Sequence, residues 1–354
     1  MDYGAQHSFL IRKIAVAGKI RTFRVLALLA CSLALFAFIA AAYFYSAMIA
    51  MPGSTFTGPL PPLTESQKQL ATDLRTTVTH LASDIGKRSI YHPKELAESA
   101  LYLKEQLAAA GYEVDEHSFP TKGSLTPNLE ATLKGTSHPD DIVVIGAHYD
   151  TTQRSPGADD NASGCAAILA LARSFNDKPQ PRTIRFVLFP NEELPTGGTP
   201  EMGSWIYAEK ARADGDHIVA MLSLEMIGYY SDAPGSQKYP APLSLFYPST
   251  GNFIVFVSRF DDRALVKQCV GAFRSVASFP SEGAALPAVI RDIGRSDHAS
   301  FWRIGVPALM VTDTANFRNP NYHSATDTPD TLNYLHAARV VEGLEGVIRA
   351  LAAD

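Results

Sequence analysis

Cysteine is scarce in this chain: only three of its 354 residues are cysteines. Three cysteines cannot form a disulfide framework, and no Cys-x-x-Cys or Cys/His cluster indicates a structural zinc knuckle. The chain also lacks an excess of positive charge, since its formal net charge is −5. Because nucleic-acid binding needs a basic face that neutralises phosphates, nucleic acid is not expected as the main partner.

Charge is missing altogether from one long segment near the N-terminus. The 27 residues Val25–Met51 carry no charge, and only two serines fall outside the hydrophobic set. A membrane-spanning helix needs about 20 apolar residues, so this segment is long enough to cross a bilayer. Residues 1–24 carry five basic residues against one acidic residue, and the positive-inside rule keeps such an end in the cytoplasm. We therefore predict a basic cytoplasmic N-terminus (1–24), a signal anchor (25–51) in the cell (inner) membrane, and an extracytoplasmic remainder.

Two other interpretations of this segment stay open. A cleaved signal peptide has a shorter apolar region of about 7–15 residues, although Ala40 and Ala42 can form a cleavage site. A buried helix of a soluble domain is less expected, because the segment has no polar face. Only six apolar residues precede Cys31, which is too few for a lipoprotein signal. The length therefore favours an uncleaved anchor.

The remainder begins with a short linker and two helices. Residues 52–63 contain four prolines, which make a fairly stiff linker. Thr64–Gln67 has the pattern of a capping box that starts a helix, and a second helix is predicted from Pro93 to a stop at Gly111. Because no second linker or internal repeat follows, residues 64–354 are predicted to form one large domain.

Beyond residue 111, apolar runs alternate with helical patterns. Six strands are predicted, at Tyr112–Phe119, Leu129–Leu133, Ile142–Ile145, Ile184–Phe189, Ile218–Leu224 and Ala308–Thr312. Helices are predicted at Ala162–Phe175, Glu201–Ala213, Arg263–Ala277 and Thr331–Leu351. Buried strands separated by helices are typical of the α/β class. The predicted fold is a three-layer αβα sandwich around a mostly parallel mixed sheet, preceded by one transmembrane helix.

Polar side chains follow several of these strands, where open α/β sheets bind their ligands. The residues are His148 and Asp150, the pair Asp159–Asp160, the pair Glu192–Glu193, Glu225, and His323. Singly, each is more simply explained as a hydrogen-bonded rim histidine or an acidic turn. Together they form a mixed histidine and carboxylate set, which is the ligand chemistry of borderline and hard divalent metals. The sequence therefore predicts a metal site at one rim of the sheet.

Four ordered motifs carry a resemblance to a known family. They are Gly146–Asp150, Gly157–Gly164, Asn191–Glu193 and Tyr322–Thr328. The set resembles the zinc-dependent exopeptidases that include secreted bacterial aminopeptidases, glutamate carboxypeptidases and glutaminyl cyclases, and it is most similar to the aminopeptidases. Motif order and the alternating pattern agree from about residue 65 to the end.

The resemblance implies two zinc ions (Zn2+) per chain. By matching position, His148 and Glu225 are the terminal ligands of one ion, and Glu193 and His323 those of the other. Asp160 bridges both ions, and the family often has a cis peptide bond after this residue. One departure concerns Glu225, because the family commonly has Asp there, and the longer side chain puts the geometry and affinity of its metal in question.

The resemblance also implies roles for three further residues. Glu192 is the general base that takes a proton from the water shared by the two ions and returns it to the leaving amine. Asp150 is expected to orient the imidazole of His148. Tyr322 is expected either to donate a hydrogen bond to the developing oxyanion or simply to pack beside His323.

These inferences predict a membrane-anchored aminopeptidase that acts on peptides with a free N-terminus. Two alternatives remain: a glutaminyl-peptide cyclase-like enzyme with one zinc, and a non-catalytic receptor or scaffold on a hydrolase fold. The loops Pro195–Gly203 and Tyr229–Tyr239 are expected to form the substrate pocket. Ser296–His298 lacks an accompanying Gly-x-Ser-x-Gly elbow, so it predicts a helix start near the site rather than part of a serine triad.

Overall fold

The computed structural model describes residues 3–121 and 124–353, which form two compact units divided between Ala50 and Met51. The first unit is one helix, α1 (Tyr3–Phe44), which continues as a π-helical turn (Tyr45–Ile49). Its portion Arg21–Ile49 is long and apolar enough to cross a membrane by length and composition. The helix also includes the basic residues before the apolar portion, because residues 3–44 contain no proline and no two adjacent glycines that would interrupt it.

The second unit contains an eight-stranded sheet in the order β1-β2-β4-β3-β5-β8-β6-β7. Its strands are β1 (Val114–Thr121), β2 (Ser124–Leu133), β3 (His138–His148), β4 (Arg182–Phe189), β5 (His217–Glu225), β6 (Ile254–Arg259), β7 (Ser281–Leu286) and β8 (Ala308–Thr312). The four central strands β4, β3, β5 and β8 are parallel to one another. Antiparallel pairs join β1 to β2, β2 to β4 and β6 to β8, while β7 is parallel to β6. The predicted mixed sheet is confirmed.

Helices cover both faces of this sheet. They are α2 (Glu65–Thr79), α3 (Pro93–Ala109), α4 (Gly164–Phe175), α5 (Gly203–Asp214), α6 (Arg263–Val276), α7 (His298–Arg303) and α8 (Tyr334–Ala352). Side chains alternate along β3, so Val143 and Ile145 lie in the core shared with α2, α3, α4, α6 and α8. Ile142 and Val144 face the smaller core beneath α5 and α7. The three-layer αβα sandwich is therefore confirmed.

The first two helices of this unit begin as their sequences predict. The Thr64 hydroxyl accepts a hydrogen bond of 3.1 Å from the Gln67 backbone, and the Gln67 side chain accepts one of 3.0 Å from Thr64. This reciprocal pair is a capping box, which satisfies two N–H groups that a helix start leaves free. The next helix, α3, has Pro93 at its first position and ends just before Gly111, whose φ is +93°.

Two strands, β6 and β7, were missing from the prediction. The β7 sequence Ser-Glu-Gly-Ala-Ala-Leu contains glycine and alanine, which have low strand propensity, and its strand is fixed by parallel pairing with β6. The strands β3, β4 and β5 are also longer in the structure than predicted, whereas β8 has its predicted bounds. In particular, His148 is the last residue of β3, and Glu225 is the last residue of β5.

Candidate metal centre

The five predicted metal ligands meet at the carboxyl edge of the central strands. His148 ends β3, Glu225 ends β5, and Glu193 lies four residues after β4. Asp160 lies in the turn before α4, and His323 lies in the loop after β8. Because the parallel strands β4, β3 and β5 end at the same edge, residues far apart in the sequence come together there.

Within this edge, the side chains form two groups that share Asp160. The Nε2 atom of His148 lies 3.2 Å from Oδ1 of Asp160 and 3.4 Å from Oε2 of Glu225. The Nε2 atom of His323 lies 3.2 Å from Oδ2 of Asp160 and 3.2 Å from Oε1 of Glu193. In each group, the potential ligand atoms lie within 4.8 Å of one another. The two carboxylate oxygens of Asp160 thus face different groups.

The unpaired atoms of these groups fit metal ions. Within the described chain, His148 Nε2 and Glu193 Oε1 are buried and have no hydrogen-bond partner. A buried polar atom without a partner costs about 1–3 kcal/mol, so such atoms need another explanation than packing. Two imidazoles and three carboxylates form a donor set that suits zinc. The residues present therefore fit a metal in each group.

The charges in the two groups shift one another's protonation. Burial raises the pKa of Glu193 to about 7, with Asp160 adding to the rise and His323 opposing it. Burial lowers the pKa of His323, but Asp160 and Glu193 outweigh that effect and raise it to about 10. The two histidines in turn hold the pKa of Asp160 below its ordinary value despite its burial. Asp160 is therefore ionised between the two groups.

Glu192 lies beside the groups without belonging to either. Its carboxylate approaches Nε2 of His148 to 4.0 Å, whereas the metal-ligating sets contain its neighbour Glu193. Burial, with the charges of Glu225 and Glu193, raises the pKa of Glu192 well above its ordinary value, against an opposing effect of His148. Glu192 is thus a largely buried carboxyl group with an elevated proton affinity next to a candidate metal site.

Asp150 connects the first group to the turn that carries Glu192. Its carboxylate accepts hydrogen bonds from the backbone N–H groups of Glu192 at 3.0 Å and of Glu193 at 3.1 Å. Its Oδ1 also lies 3.4 Å from Nδ1 of His148, and its carbonyl oxygen lies 3.2 Å from the same nitrogen. Asp150 is therefore placed to orient the imidazole, and its contacts with the two backbone N–H groups were not foreseen from the sequence.

The turn that carries Asp160 is tied to the end of β5. The Asp160–Asn161 peptide bond is cis, as the resemblance implied. The Asn161 side chain donates to the carbonyl of Leu224 at 2.8 Å and accepts from the backbone N–H of Met226 at 3.1 Å. These bonds fix the distance between Asp160 and the neighbouring Glu225.

Two further residues that the sequence analysis left without a role support the ligands. The Asp327 carboxylate accepts hydrogen bonds from the backbone N–H groups of Asp159 at 2.9 Å and Asp160 at 3.2 Å. The Ser296 hydroxyl donates to Oε2 of Glu225 at 2.7 Å. Asp327 lies within the motif Tyr322–Thr328, and Ser296 lies just before α7, the helix start that was predicted near the site without a role for the Ser296 hydroxyl.

Tyr322 lies against one of the ligands. Its ring stacks on that of His323, with ring centroids 3.7 Å apart and an interplanar angle of 21°. Its hydroxyl accepts a hydrogen bond of 3.0 Å from Arg295, and Arg295 and Tyr322 both line the adjacent pocket. This position is compatible with both predicted roles, packing beside His323 and contact with a substrate.

An apolar pocket opens beside Glu225 and Tyr322, with an empty volume of about 930 Å³ that includes open solvent. Its apolar lining includes Leu243, Phe253, Val255, Val257, Leu286 and Met310. The predicted loop Tyr229–Tyr239 contributes only its last three residues. The predicted loop Pro195–Gly203 does not line this pocket in the described part of the chain, and its contribution to the substrate pocket stays a prediction. The pocket instead lies over β6, β7 and β8, two of which the sequence analysis missed.

Comparison with known proteins extends over most of the second unit. Peptidase family M28 matches residues 128–347. The uncharacterized protein YfbL of Escherichia coli (strain K12) is 38% identical over 280 residues, which cover 77% of this chain and 85% of YfbL. A probable leucine aminopeptidase of Trichophyton verrucosum (strain HKI 0517) is 30% identical over 271 residues, which cover 70% of this chain and 64% of that protein.

Solved structures show the same fold. BSAP, a zinc aminopeptidase from Bacillus subtilis, superposes with a TM-score of 0.65 at 14% identity, covering 80% of this chain and 95% of BSAP. A glutaminyl cyclase of Bacteroides thetaiotaomicron superposes with a TM-score of 0.58 at 18% identity, covering 82% of this chain and 99% of the cyclase. The family match, the identity to YfbL and the shared fold lead to one conclusion: the chain belongs to peptidase family M28.

Proposed function

We propose that this peptidase is a membrane-anchored aminopeptidase that uses two zinc ions to release N-terminal residues from peptides. The observation that carries the proposal is the position of Asp160, whose two carboxylate oxygens face two separate histidine and carboxylate groups. Glu192 lies next to these groups and is not needed as a ligand in either. This arrangement separates metal binding from acid–base work.

Each group would hold one ion. His148, Asp160 and Glu225 would bind the first, and Asp160, Glu193 and His323 the second. Zinc bound there would lower the pKa of a water molecule and polarise the scissile carbonyl. The five side chains would contribute by holding their donor atoms in place before a metal binds, since four of them are buried at the end of a rigid sheet and His323 is half-buried beside them.

Glu192 would act as the general base and acid. Its burial and the neighbouring carboxylates raise its pKa, which suits a group that takes a proton and later gives it back. In this role it removes a proton from the attacking water and delivers it to the amine of the departing peptide. Asp150 holds the backbone of Glu192 in place, so the carboxylate keeps its position beside His148.

The pocket beside Glu225 would hold the side chain of the residue to be removed. Its lining by Phe253, Val255, Leu286 and Met310 favours an apolar side chain, because burial of apolar surface is the main favourable term there. The neighbouring carboxylates would attract the charged N-terminal amine. The Trichophyton relative is named a probable leucine aminopeptidase, which agrees with this substrate class.

Anchoring by α1 is part of the proposal. The apolar portion of α1 and the basic residues that precede it support a helix that crosses the membrane with its N-terminus in the cytoplasm. The helix would lie in the cell (inner) membrane. The peptidase unit would then lie outside the cytoplasm and act on peptides that reach that side.

Glutaminyl cyclisation is the second candidate, because a glutaminyl cyclase shares the fold. The test compares both activities on the full-length protein in detergent after zinc repletion. We expect about two zinc ions per chain by elemental analysis, and hydrolysis of leucine p-nitroanilide. About one ion per chain with cyclisation of an N-terminal glutaminyl peptide would favour the cyclase. No zinc and no turnover would favour a non-catalytic role.

A further inference from the structure

Arg88 is fully buried in the segment between α2 and α3, with no solvent-exposed surface. In the part of the chain described here, no carboxylate lies within 4.0 Å of its guanidinium group to form an ion pair. Burial of an unpaired charge is costly, so such a residue requires dense hydrogen bonding. Arg88 has that bonding, and all of the acceptors of its guanidinium group are backbone carbonyls.

Three of these acceptors lie at the two ends of one loop, residues 149–157, which runs from His148 at the end of β3 to the turn that carries Asp160. The Nε atom of Arg88 donates to the carbonyl of Tyr149 at 2.7 Å, immediately after His148. Its Nη1 atom donates to Pro156 at 2.7 Å, and its Nη2 atom donates to Gly157 at 2.8 Å. One planar group therefore joins the chain that leaves β3 to the chain that enters the Asp160 turn.

The remaining bonds fix Arg88 itself. Its Nη1 atom also donates to the carbonyls of Leu81 and Gly86, each at 3.2 Å, in and just after the turn that ends α2. Its backbone N–H donates to the hydroxyl of Thr151 at 3.1 Å, and the backbone N–H of Thr151 donates back to the carbonyl of Arg88 at 2.8 Å. The segment that ends α2 thus holds the guanidinium, while the guanidinium binds both ends of the loop 149–157.

The space around the guanidinium is also filled. A Cβ atom at Gly157, whose φ is +66°, would lie 3.2 Å from Nη2 of Arg88 and 2.3 Å from the carbonyl oxygen of Asp160. Burial lowers the pKa of Arg88, while the charges of Asp150 and Asp160, among others, raise it. The positive charge of Arg88 therefore interacts with Asp150 and Asp160, which lie on either side of the carbonyls that it binds.

We propose that Arg88 is a positioning residue that sets the separation of His148 and Asp160 by binding carbonyls at both ends of the loop between them. This inference rests on the proposed metal-dependent function. It assigns Arg88 no contact with substrate, but it makes zinc affinity depend on a side chain outside every ligand motif. The group His148–Asp160–Glu225 should be affected most, because two of its three members, His148 and Asp160, flank the loop that Arg88 binds.

The test measures zinc affinity of the full-length protein in detergent, by competition with a chromogenic chelator. Arg88→Lys keeps the charge, but an ammonium has three N–H donors and cannot reproduce the planar five-donor fork. We expect zinc to bind about 10–100-fold more weakly, in the range found when groups that orient metal ligands are removed. Excess zinc should restore much of the lost turnover.

The matched control is Arg339→Lys. Arg339 lies on α8, is also buried, and donates to the carbonyl of Pro61, away from the ligand loops. It should leave zinc affinity within about twofold, even where it lowers the unfolding temperature. Zinc affinity of Arg88→Lys within twofold of wild type would overturn the inference, whatever its effect on stability.

A second variant covers the case in which Arg88→Lys does not fold. Thr151→Val removes the hydroxyl that accepts the backbone N–H of Arg88 and preserves shape, so a loss of several-fold in zinc affinity is expected. Wild-type affinity in that variant would then overturn the inference. The same samples test the proposed function separately. A wild-type protein that binds zinc but hydrolyses no aminoacyl p-nitroanilide would contradict the proposed aminopeptidase activity. The comparison of zinc affinities would still decide the role of Arg88.

Discussion

The carboxylate of Asp150 accepts a hydrogen bond of 3.0 Å from the backbone N–H of Glu192. The same carboxylate lies 3.4 Å from the imidazole of His148 and also accepts the N–H of Glu193. A single buried side chain thus fixes the backbone of the candidate base and one candidate ligand together. Because this bond involves the backbone of Glu192, its side chain can be changed without releasing the turn.

Replacement of Glu192 by Gln should therefore separate metal binding from turnover. We expect Glu192→Gln to keep the wild-type zinc content and to lose activity by about 10³-fold, since the amide cannot accept the proton. Glu201→Gln is the control, because Glu201 carries an exposed carboxylate nine residues after Glu192. Elemental analysis and hydrolysis of leucine p-nitroanilide check both variants. Near wild-type turnover in Glu192→Gln would exclude this residue as the base.

Ser296→Ala should weaken metal binding at one group only. Its hydroxyl donates to the Glu225 oxygen that faces His148, and it helps to hold a glutamate where the family resemblance led us to expect the shorter Asp. We expect about tenfold weaker zinc binding at that group. Ser300→Ala is the matched control, because the buried Ser300 hydroxyl contacts Ser204 instead. Equal zinc affinity in the two variants would show that this hydrogen bond does not tune the site.

A blocked N-terminus should abolish cleavage. The proposed function requires the substrate's ammonium group beside the carboxylates, and acetylation removes that charge. We expect kcat/KM for N-acetyl-leucine p-nitroanilide to be at least about 100-fold lower than for the free amine, which corresponds to the loss of a charge-assisted contact of roughly 3 kcal/mol. Cleavage of both compounds at similar rates would point to a different peptidase specificity.

Glu130, on β2, should make stability depend on acid pH. Burial raises its pKa, but His117, Arg185, Thr132 and Tyr207 outweigh that effect and lower it to about 2 from an ordinary value of 4.5. The ionised form is therefore favoured in the folded state, and the stability it contributes is present above pH 4.5 and is lost as the pH falls toward 2.

Urea unfolding of wild type and Glu130→Gln between pH 2 and 6 measures this contribution. The difference in free energy of unfolding between the two proteins should shrink by up to about 3 kcal/mol as the pH is lowered through that window. A difference that stays constant with pH would show that the ionisation of Glu130 does not stabilise the fold.

The orientation of α1 can be tested with a reporter enzyme that is active only outside the cytoplasm. A fusion after Asp354 should be active, because the basic residues before the apolar segment are expected to stay inside. A fusion after Arg24 is the matched control and should be inactive. The opposite pattern would reverse the proposed topology.

Much of the site was predictable because its residues follow recognisable strands. His148 and Glu225 come directly from apolar runs, and the ends of parallel strands converge whatever the details of packing. The strands β6 and β7 were not predictable in this way. Their sequences are short and, in β7, rich in small residues, so their conformation depends on partners supplied by the rest of the sheet. The pocket that they floor was not predicted either, for the same reason.

The sequence by itself determined the αβα class, the start of α2 at its capping box and the residue types gathered at the rim, because these depend on local periodicity and on motif order. The contacts of Arg88 with Tyr149 and Gly157, and of Ser296 with Glu225, span about 60 to 70 residues each and leave no local pattern. Only tertiary packing could decide them. Backbone carbonyls are present at every residue, and folding alone selects which of them a buried side chain meets.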